Sequence, residues 1–323
     1  MKKILVIQIK QIGDCILTEP VFPALKNAFP GCRTCFVVGS HFSPLFLGNP
    51  FIDEVIPYDF NKPVKMLQKF FLKKFDIVFD FLGNPRSRML TAFIRAPLKI
   101  GFKKRGSFFF YNLRAERPAG VEYAAATKFR LLEAAGVREK PGIPKIYLSE
   151  KEIEKFSEFA GGTEGTKIVA VSPTSRRPAR RWRKEYFAEL ADRFVSRGLK
   201  VIFVWGPGEE NYIGDIVSMM KEKPVVAPPT DLRELAALIC NCDLLVSNCN
   251  GTRHISVASG TPTLTVHGPT HWKSWKPPDE KHEVIFSDVS CLFCGKRECE
   301  DMRCMEQLKP VTVEKAAVEM LKV

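Results

Sequence analysis

Apolar and polar positions alternate along the chain in a rhythm of short buried strands and amphipathic helices. Lys3 to Ile9 is an almost continuous apolar run, the pattern of a strand covered on both faces of a parallel sheet. A loop at Lys10-Gln11-Ile12-Gly13 follows, and then a helix predicted from Asp14 towards Phe29, stopped by Pro30-Gly31. Thr34 to Val38 reads as a second strand, Val64 to Lys74 as helical, and Val78 to Phe81 as a later strand. The second half repeats the pattern. Ile168 to Ser172 is a predicted strand, and Phe187, Leu190, Ala191 and Phe194 recur at helical spacing up to a stop at Gly198. Lys200 to Trp205 is a strand, Leu232, Leu235, Ala236 and Ile239 form a helical stripe, and Leu244 to Ser247 is a strand. A short helix carries His254 to Ala258, and Thr263 to Val266 closes the series as a strand. This βαβ rhythm predicts an α/β protein of two doubly wound, Rossmann-like domains with parallel sheets.

The 323-residue length suits two domains rather than one. The hinge is expected between Lys140-Pro141-Gly142-Ile143-Pro144 and Gly161-Gly162, with a helical stretch from Ser149 to Phe159 between them. The expected domains are therefore 1–160 and 161–323, facing a central cleft between their strand ends. The sequence leaves open whether the last helix packs back on the N-terminal domain.

Charge adds a partner class. The net charge of +13 favours polyanions: nucleic acid, anionic lipid or a phosphorylated substrate. No nucleic-acid-binding motif is present, so nucleic acid is not expected. No run of 18 apolar residues occurs, and the amino-terminal Met1-Lys2-Lys3-Ile4-Leu5-Val6-Ile7 has too short an apolar core for a signal peptide, so a cytoplasmic location is expected. Two segments mix bases with aromatics. In 62–74, docking on an anionic bilayer and packing into the core are evenly balanced. In 102–114 the bilayer is favoured, because three consecutive phenylalanines cannot all face one core.

Candidate chemistry falls at the carboxyl ends of the predicted strands. Gly13-Asp14 follows the first, where a carboxylate can serve as general base or simply cap the next helix. The loop from Ser172 to Trp182 holds Thr174, Ser175 and the arginines Arg176, Arg177, Arg180 and Arg181, a set suited to a diphosphate, although a solvated basic loop is the commoner fate of such a run. Gly206-Pro207-Gly208 makes a close turn before Glu209 and Glu210, either of which can accept ribose hydroxyls. Asn248-Cys249-Asn250-Gly251-Thr252-Arg253-His254 opens a helix whose N–H groups can hold phosphate, with His254 either a ligand or a structural histidine. Of ten cysteines, Cys15, Cys32, Cys35, Cys240, Cys242 and Cys249 read as free thiols. Cys291, Cys294, Cys299 and Cys304 are spaced closely enough to enclose a structural zinc, with free thiols the default.

Three stretches, ILVIQIKQIGDCILTEPVFPALKNAFPG, RWRKEYFAELADRF and NGTRHISVASGTPTLTVHGPTHWKSWKP followed by the cysteines, resemble in order and spacing the glycosyltransferase family 9 heptosyltransferases. The resemblance implies a GT-B fold and inverting, metal-independent transfer from ADP-heptose to a lipid A-linked Kdo or heptose of the lipopolysaccharide core. The enzyme it implies is a monomer, needs no cofactor and is peripheral to the anionic inner membrane. It implies Asp14 as catalytic base, with Gly13 and Lys10 in the acceptor loop. Thr174 and Ser175 resemble phosphate contacts, and Arg180 stands where the family's K-x-W-P motif has lysine. Glu209 or Glu210 resembles the ribose ligand, and Thr230 falls near the adenine-binding backbone. Asn250, Gly251, Thr252 and His254 cover the D-[ST]-G-x-x-H motif. That motif's aspartate is Cys249 here, its Ser/Thr is Asn250, and the proline after Trp182 is Arg183. The alternatives are a related transferase using another nucleotide sugar and a non-catalytic nucleotide-sugar binder.

Overall fold

A computed structural model describes residues 1–71, 73–161 and 165–323. The chain forms two compact units, Met1–Tyr147 and Leu148–Val323.

The first unit runs β1 (Lys3–Gln8), α1 (Ile12–Ile16), α2 (Val21–Ala28), β2 (Arg33–Gly39), β3 (Glu54–Tyr58), α3 (Pro63–Phe71), β4 (Ile77–Asp80), α4 (Pro85–Phe93), β5 (Leu98–Phe102), β6 (Leu113–Ala115) and α5 (Ala124–Ala134). Its strands are all parallel in the order β3-β2-β1-β4-β5-β6. Leu5, Ile7, Cys35, Val37 and Val78 are buried between the sheet and α3, which contributes Met66 and Phe70. The helix expected from Asp14 to Phe29 is two helices. Pro20 has no N–H to continue the ladder, and around it the chain tightens to three-residue turns, Glu19 N–H to Ile16 C=O (2.9 Å) and Phe22 N–H to Glu19 C=O (3.0 Å). Strands β3, β5 and β6 carry no clean apolar pattern. Pro57 interrupts β3, which tolerates it as the sheet edge. In β5, Lys99 breaks the pattern and Gly101 is required because a Cβ there would enter the Tyr111 ring.

The second unit runs α6 (Glu150–Ala160), β7 (Ile168–Ser172), α7 (Lys184–Ser196), β8 (Lys200–Phe203), α8 (Glu210–Met219), β9 (Val225–Val226), α9 (Leu232–Cys240), β10 (Leu244–Asn248), α10 (Gly251–Ser259), β11 (Thr263–Val266), β12 (His282–Ile285), α11 (Arg303–Glu306) and α12 (Pro310–Leu321). Its parallel order, β12-β11-β10-β7-β8-β9, is the same winding as the first sheet. In each, the chain reverses its direction of growth beside the first strand, between β1 and β4 and between β7 and β10. Open sheets of this kind bind ligands at such points.

The division falls between Tyr147 and Leu148 rather than at 160/161, because α6 belongs with the second sheet. Ser149 and Glu152 form a reciprocal cap at its start. The Glu152 carboxylate takes two bonds from the Arg233 guanidinium, 2.6 and 2.8 Å, as the helix packs on α9. The last helix, α12, packs on α7 within its own unit. Its buried Glu314 is held by Arg193 and Arg197 at 3.3 and 2.6 Å.

Candidate active site

In the first unit, β1 delivers its loop at the β1/β4 gap. Gln11 takes a positive φ of 65° to turn the chain into α1, and Asp14 stands in that helix's first turn, partly exposed. Gly13 is buried and Lys10 exposed, its ammonium 5.8 Å from the Phe60 ring centre. The loop is fixed from below: the Gln8 amide donates to Lys10 C=O (2.9 Å) and the Cys15 thiol to Gln8 C=O (3.1 Å). Beneath it lies a group with no local signal in the sequence. Lys128 of α5 is buried, donates to Gln8 Oε1 at 3.2 Å and lies 3.9 Å from Asp14 Oδ1. Burial pulls the ammonium below the ordinary lysine range, while Asp14 opposes that pull. The partly exposed carboxylate therefore sits beside a buried ammonium. Across the gap, buried Asp80 ends β4 and accepts from the Leu82 and Gly83 amides and the Tyr111 hydroxyl (3.0, 2.9 and 2.6 Å), a structural role.

In the second unit, five loops gather at the carboxyl edge of the sheet. The loop after β7 carries Thr174, Ser175 and Arg180, and is clamped at both ends by Asn248. The Asn248 side chain accepts from Trp182 N–H (3.0 Å) and donates to Pro173 C=O (2.5 Å). Asn250 caps α10 through Arg253 N–H (3.1 Å) and donates to Ser172 Oγ (2.9 Å) and Thr174 C=O (3.0 Å). Its polar atoms are thus spent holding the loop. Thr174 and Ser175 are buried, and the Thr174 hydroxyl donates to Glu209 (2.9 Å). The same Glu209 oxygen accepts Gly206 N–H (2.9 Å), closing the turn that Gly208 makes at a φ of 82°. Glu210 is exposed at the start of α8, and Thr230 lies just before Asp231, which caps α9. Trp182, fully buried, donates through its indole N–H to Leu308 C=O (2.9 Å).

Arg180 reaches from this loop towards the start of α10, its Nη1 3.5 Å from Cys249 C=O. Its Nε is buried and has no hydrogen-bond partner among the described residues, and no carboxylate among them is one of the charges acting on it. Desolvation lowers its proton affinity, yet a guanidinium keeps its charge at neutral pH. Gly251 and Thr252 occupy the first turn of α10, so their N–H groups have no earlier helical carbonyl to bond. His254, buried against Trp275 at 5.5 Å, is held neutral first by burial and then by Arg253. Burial likewise pushes the Cys249 thiol up, so it adds no negative charge where the family motif has a carboxylate.

The zinc enclosure weighed for Cys291, Cys294, Cys299 and Cys304 is not assembled: no three or more His, Cys, Asp or Glu among the described residues are arranged to hold a metal ion. The four thiols are free, and Cys304 is buried with its thiol pushed up to about 11 by burial and the neighbouring cysteines.

Two doubly wound sheets in tandem, with a cationic loop and a helix start at the second switch point, have the GT-B architecture. The chain matches the model of glycosyltransferase family 9 (heptosyltransferase) over residues 64–304 and belongs to that family. It is 25% identical over 314 residues to lipooligosaccharide heptosyltransferase 2 of Campylobacter jejuni, with 94% of each chain covered. Among solved structures it resembles the family 9 glycosyl transferase of Veillonella parvula (TM-score 0.86, 26% identity, 99% of this chain and 97% of that one). It also resembles Escherichia coli heptosyltransferase WaaC with ADP-2-deoxy-2-fluoro heptose (TM-score 0.73, 20% identity, 98% and 99% covered).

Proposed function

We propose that this glycosyltransferase moves a heptose from ADP-heptose to a lipid A-linked Kdo or heptose of the lipopolysaccharide inner core, with inversion and without a catalytic metal. In this reading the first unit takes the acceptor and the second the donor, and the protein works as a cytoplasmic monomer at the inner membrane. The observation that carries it is the Arg180 guanidinium, half-buried at a switch point, reaching Cys249 C=O just before α10 and lacking a carboxylate partner among the described residues. A diphosphate supplies the missing charge. The relatives' names and the ADP-heptose analogue bound to WaaC support the choice of donor.

The step is a single displacement. Asp14 takes the proton of the acceptor hydroxyl as its oxygen bonds to the anomeric carbon. The bond from that carbon to the diphosphate oxygen breaks, and ADP leaves with the electron pair. Arg180 and the N–H groups of Gly251 and Thr252 receive the charge that develops on the diphosphate. Lys128, bonded to Gln8 beneath the β1 loop, holds Asp14 in place. The test is turnover of ADP-heptose with a panel of truncated core acceptors. Asp14→Ala is expected to abolish transfer and to retain ADP binding in calorimetry. Wild-type protein that binds ADP-heptose but transfers to no acceptor would instead indicate a binding protein.

Cys249 favours a second reading in one respect. A neutral thiol cannot accept sugar hydroxyls as the family's carboxylate does, so another nucleotide sugar is the alternative donor. A thermal-shift panel decides between them, since stabilisation by a UDP-sugar and not by ADP-heptose would reject the heptose assignment.

A further inference from the structure

Positive charge is not spread evenly over this chain. Residues 61–114 contain thirteen Lys or Arg and two acidic residues, Asp76 and Asp80, and Asp80 is buried. That stretch therefore carries +11 of the total +13. It spans three surface segments: α3, α4 and the turn 103–110. Their contacts join them into one face. Helices α3 and α4 pack together. The Arg95 guanidinium, just past α4, lies 5.8 Å from the Phe71 ring centre at the end of α3. Arg88 of α4 lies 5.9 Å from the Phe110 ring centre and donates to Arg105 C=O (3.1 Å) in the turn.

The same face exposes large apolar side chains. Helix α3 buries Met66 and Phe70 in the core but leaves Phe71 half-exposed, so core packing accounts for only part of this segment's apolar side chains. On α4, Arg86, Met89 and Phe93 are exposed and fall on one outward stripe. In the turn, Phe108 and Phe109 are 59% and 75% exposed, their ring centres 4.0 Å apart, while Ser107 and Tyr111 anchor the segment below them. Exposed phenylalanine beside Lys103, Lys104 and Arg105 has little use against a nucleic-acid backbone, which rewards charge. It suits an anionic bilayer, where bases meet headgroups and rings enter the acyl boundary.

We infer that α3, the outer stripe of α4 and the turn 103–110 form a docking surface for an anionic lipid bilayer, with Phe108 and Phe109 as the inserted residues. The inference deepens the proposed function, since a lipid-linked acceptor is met at such a surface, but its test requires no turnover. The full chain is sedimented with vesicles of phosphatidylethanolamine and phosphatidylglycerol, with neutral phosphatidylcholine vesicles and duplex DNA as comparison ligands. Binding is expected on anionic vesicles and not on neutral ones, and to weaken with added salt. Lys103→Gln/Lys104→Gln/Arg105→Gln is expected to weaken it by about fivefold per charge removed. Phe108→Ser/Phe109→Ser is expected to weaken it at least tenfold with an unchanged melting temperature, and to leave ADP binding intact. Equal binding to neutral vesicles, tighter binding to DNA, or indifference to the phenylalanine pair would overturn the assignment. A protein that docks as described yet transfers no heptose would sink the enzymatic reading and leave this surface standing.

Discussion

Asn248→Ala probes how the cationic loop is held. The native amide is fully buried and makes one bond to each end of the 173–182 loop, accepting from Trp182 N–H at 3.0 Å and donating to Pro173 C=O at 2.5 Å. Alanine removes both and leaves a backbone donor and a backbone acceptor stranded in the interior. Each stranded group costs about 1–3 kcal/mol, so the loss is about 2–6 kcal/mol. For a unit of this size, each kcal/mol lowers the midpoint by about 2–4 °C. The second unit's transition in scanning calorimetry should therefore fall by roughly 4 °C at the low end and by more than 15 °C at the high end. ADP affinity, measured by titration below that transition, should fall as well, because the loop that presents Arg180 is no longer pinned at its ends. Asn250→Ala is the comparator. It removes the α10 cap and the bonds to Ser172 and Thr174, and should shift both readouts in the same sense. A variant of Asn248 that melts within 2 °C of the parent and binds ADP equally well would refute the clamp and the rigid loop derived from it.

Three further outcomes are expected. Arg180→Ala should lower kcat by about 10²–10³-fold with a smaller change in donor KM, because its charge is most needed as ADP departs. A steady-state series in which only KM rises would contradict that role. Lys128→Met, which keeps the length and removes the charge, should lower kcat about tenfold with ADP affinity unchanged, because the β1 loop that carries Asp14 loses its anchor through Gln8. A kcat equal to the parent's would leave Lys128 a packing residue. The second unit should also be acid-sensitive through its buried histidines. His282 and His267 are held down to about 4 and about 3, mainly by burial, with Arg253 adding to it. Above the ordinary histidine value neither state takes a proton, so nothing is lost. Below it the unfolded chain binds protons that the folded unit refuses, so stability falls as pH drops towards those values. Two such groups cost about 3 kcal/mol between pH 6.5 and 5, and a second-unit melting temperature that stays level across that window would exclude the effect.

Much of this was legible in the sequence because the central strands are apolar on both faces. β1, β7, β10 and β11 fall where their runs predict them, and each places a loop of candidate residues at its carboxyl end. The edge strands were not legible. β3 contains a proline, β6 and β9 are very short, and β12 is only half-buried, so no periodicity marks them. Within the candidate site, residue type and position in the chain pointed to Asp14, Arg180 and the start of α10. They did not distinguish groups left available from groups already engaged. Asn250 and the Thr174 hydroxyl are committed to holding the loop, which depends on partners 35 to 78 residues away. Lys128 stands 120 residues from Gln8, in the middle of a helix like many others, and only the packing of α5 brings it under the β1 loop.

The allegiance of α6 has a practical consequence. Severing the chain after Ala160 would strip the carboxyl-terminal fragment of a helix, leave the Arg233 guanidinium without Glu152, and bare the apolar surface of α9 that this helix covers. A fragment beginning at Leu148 carries its own lid over that surface, and it is the one to express when the two halves are made separately.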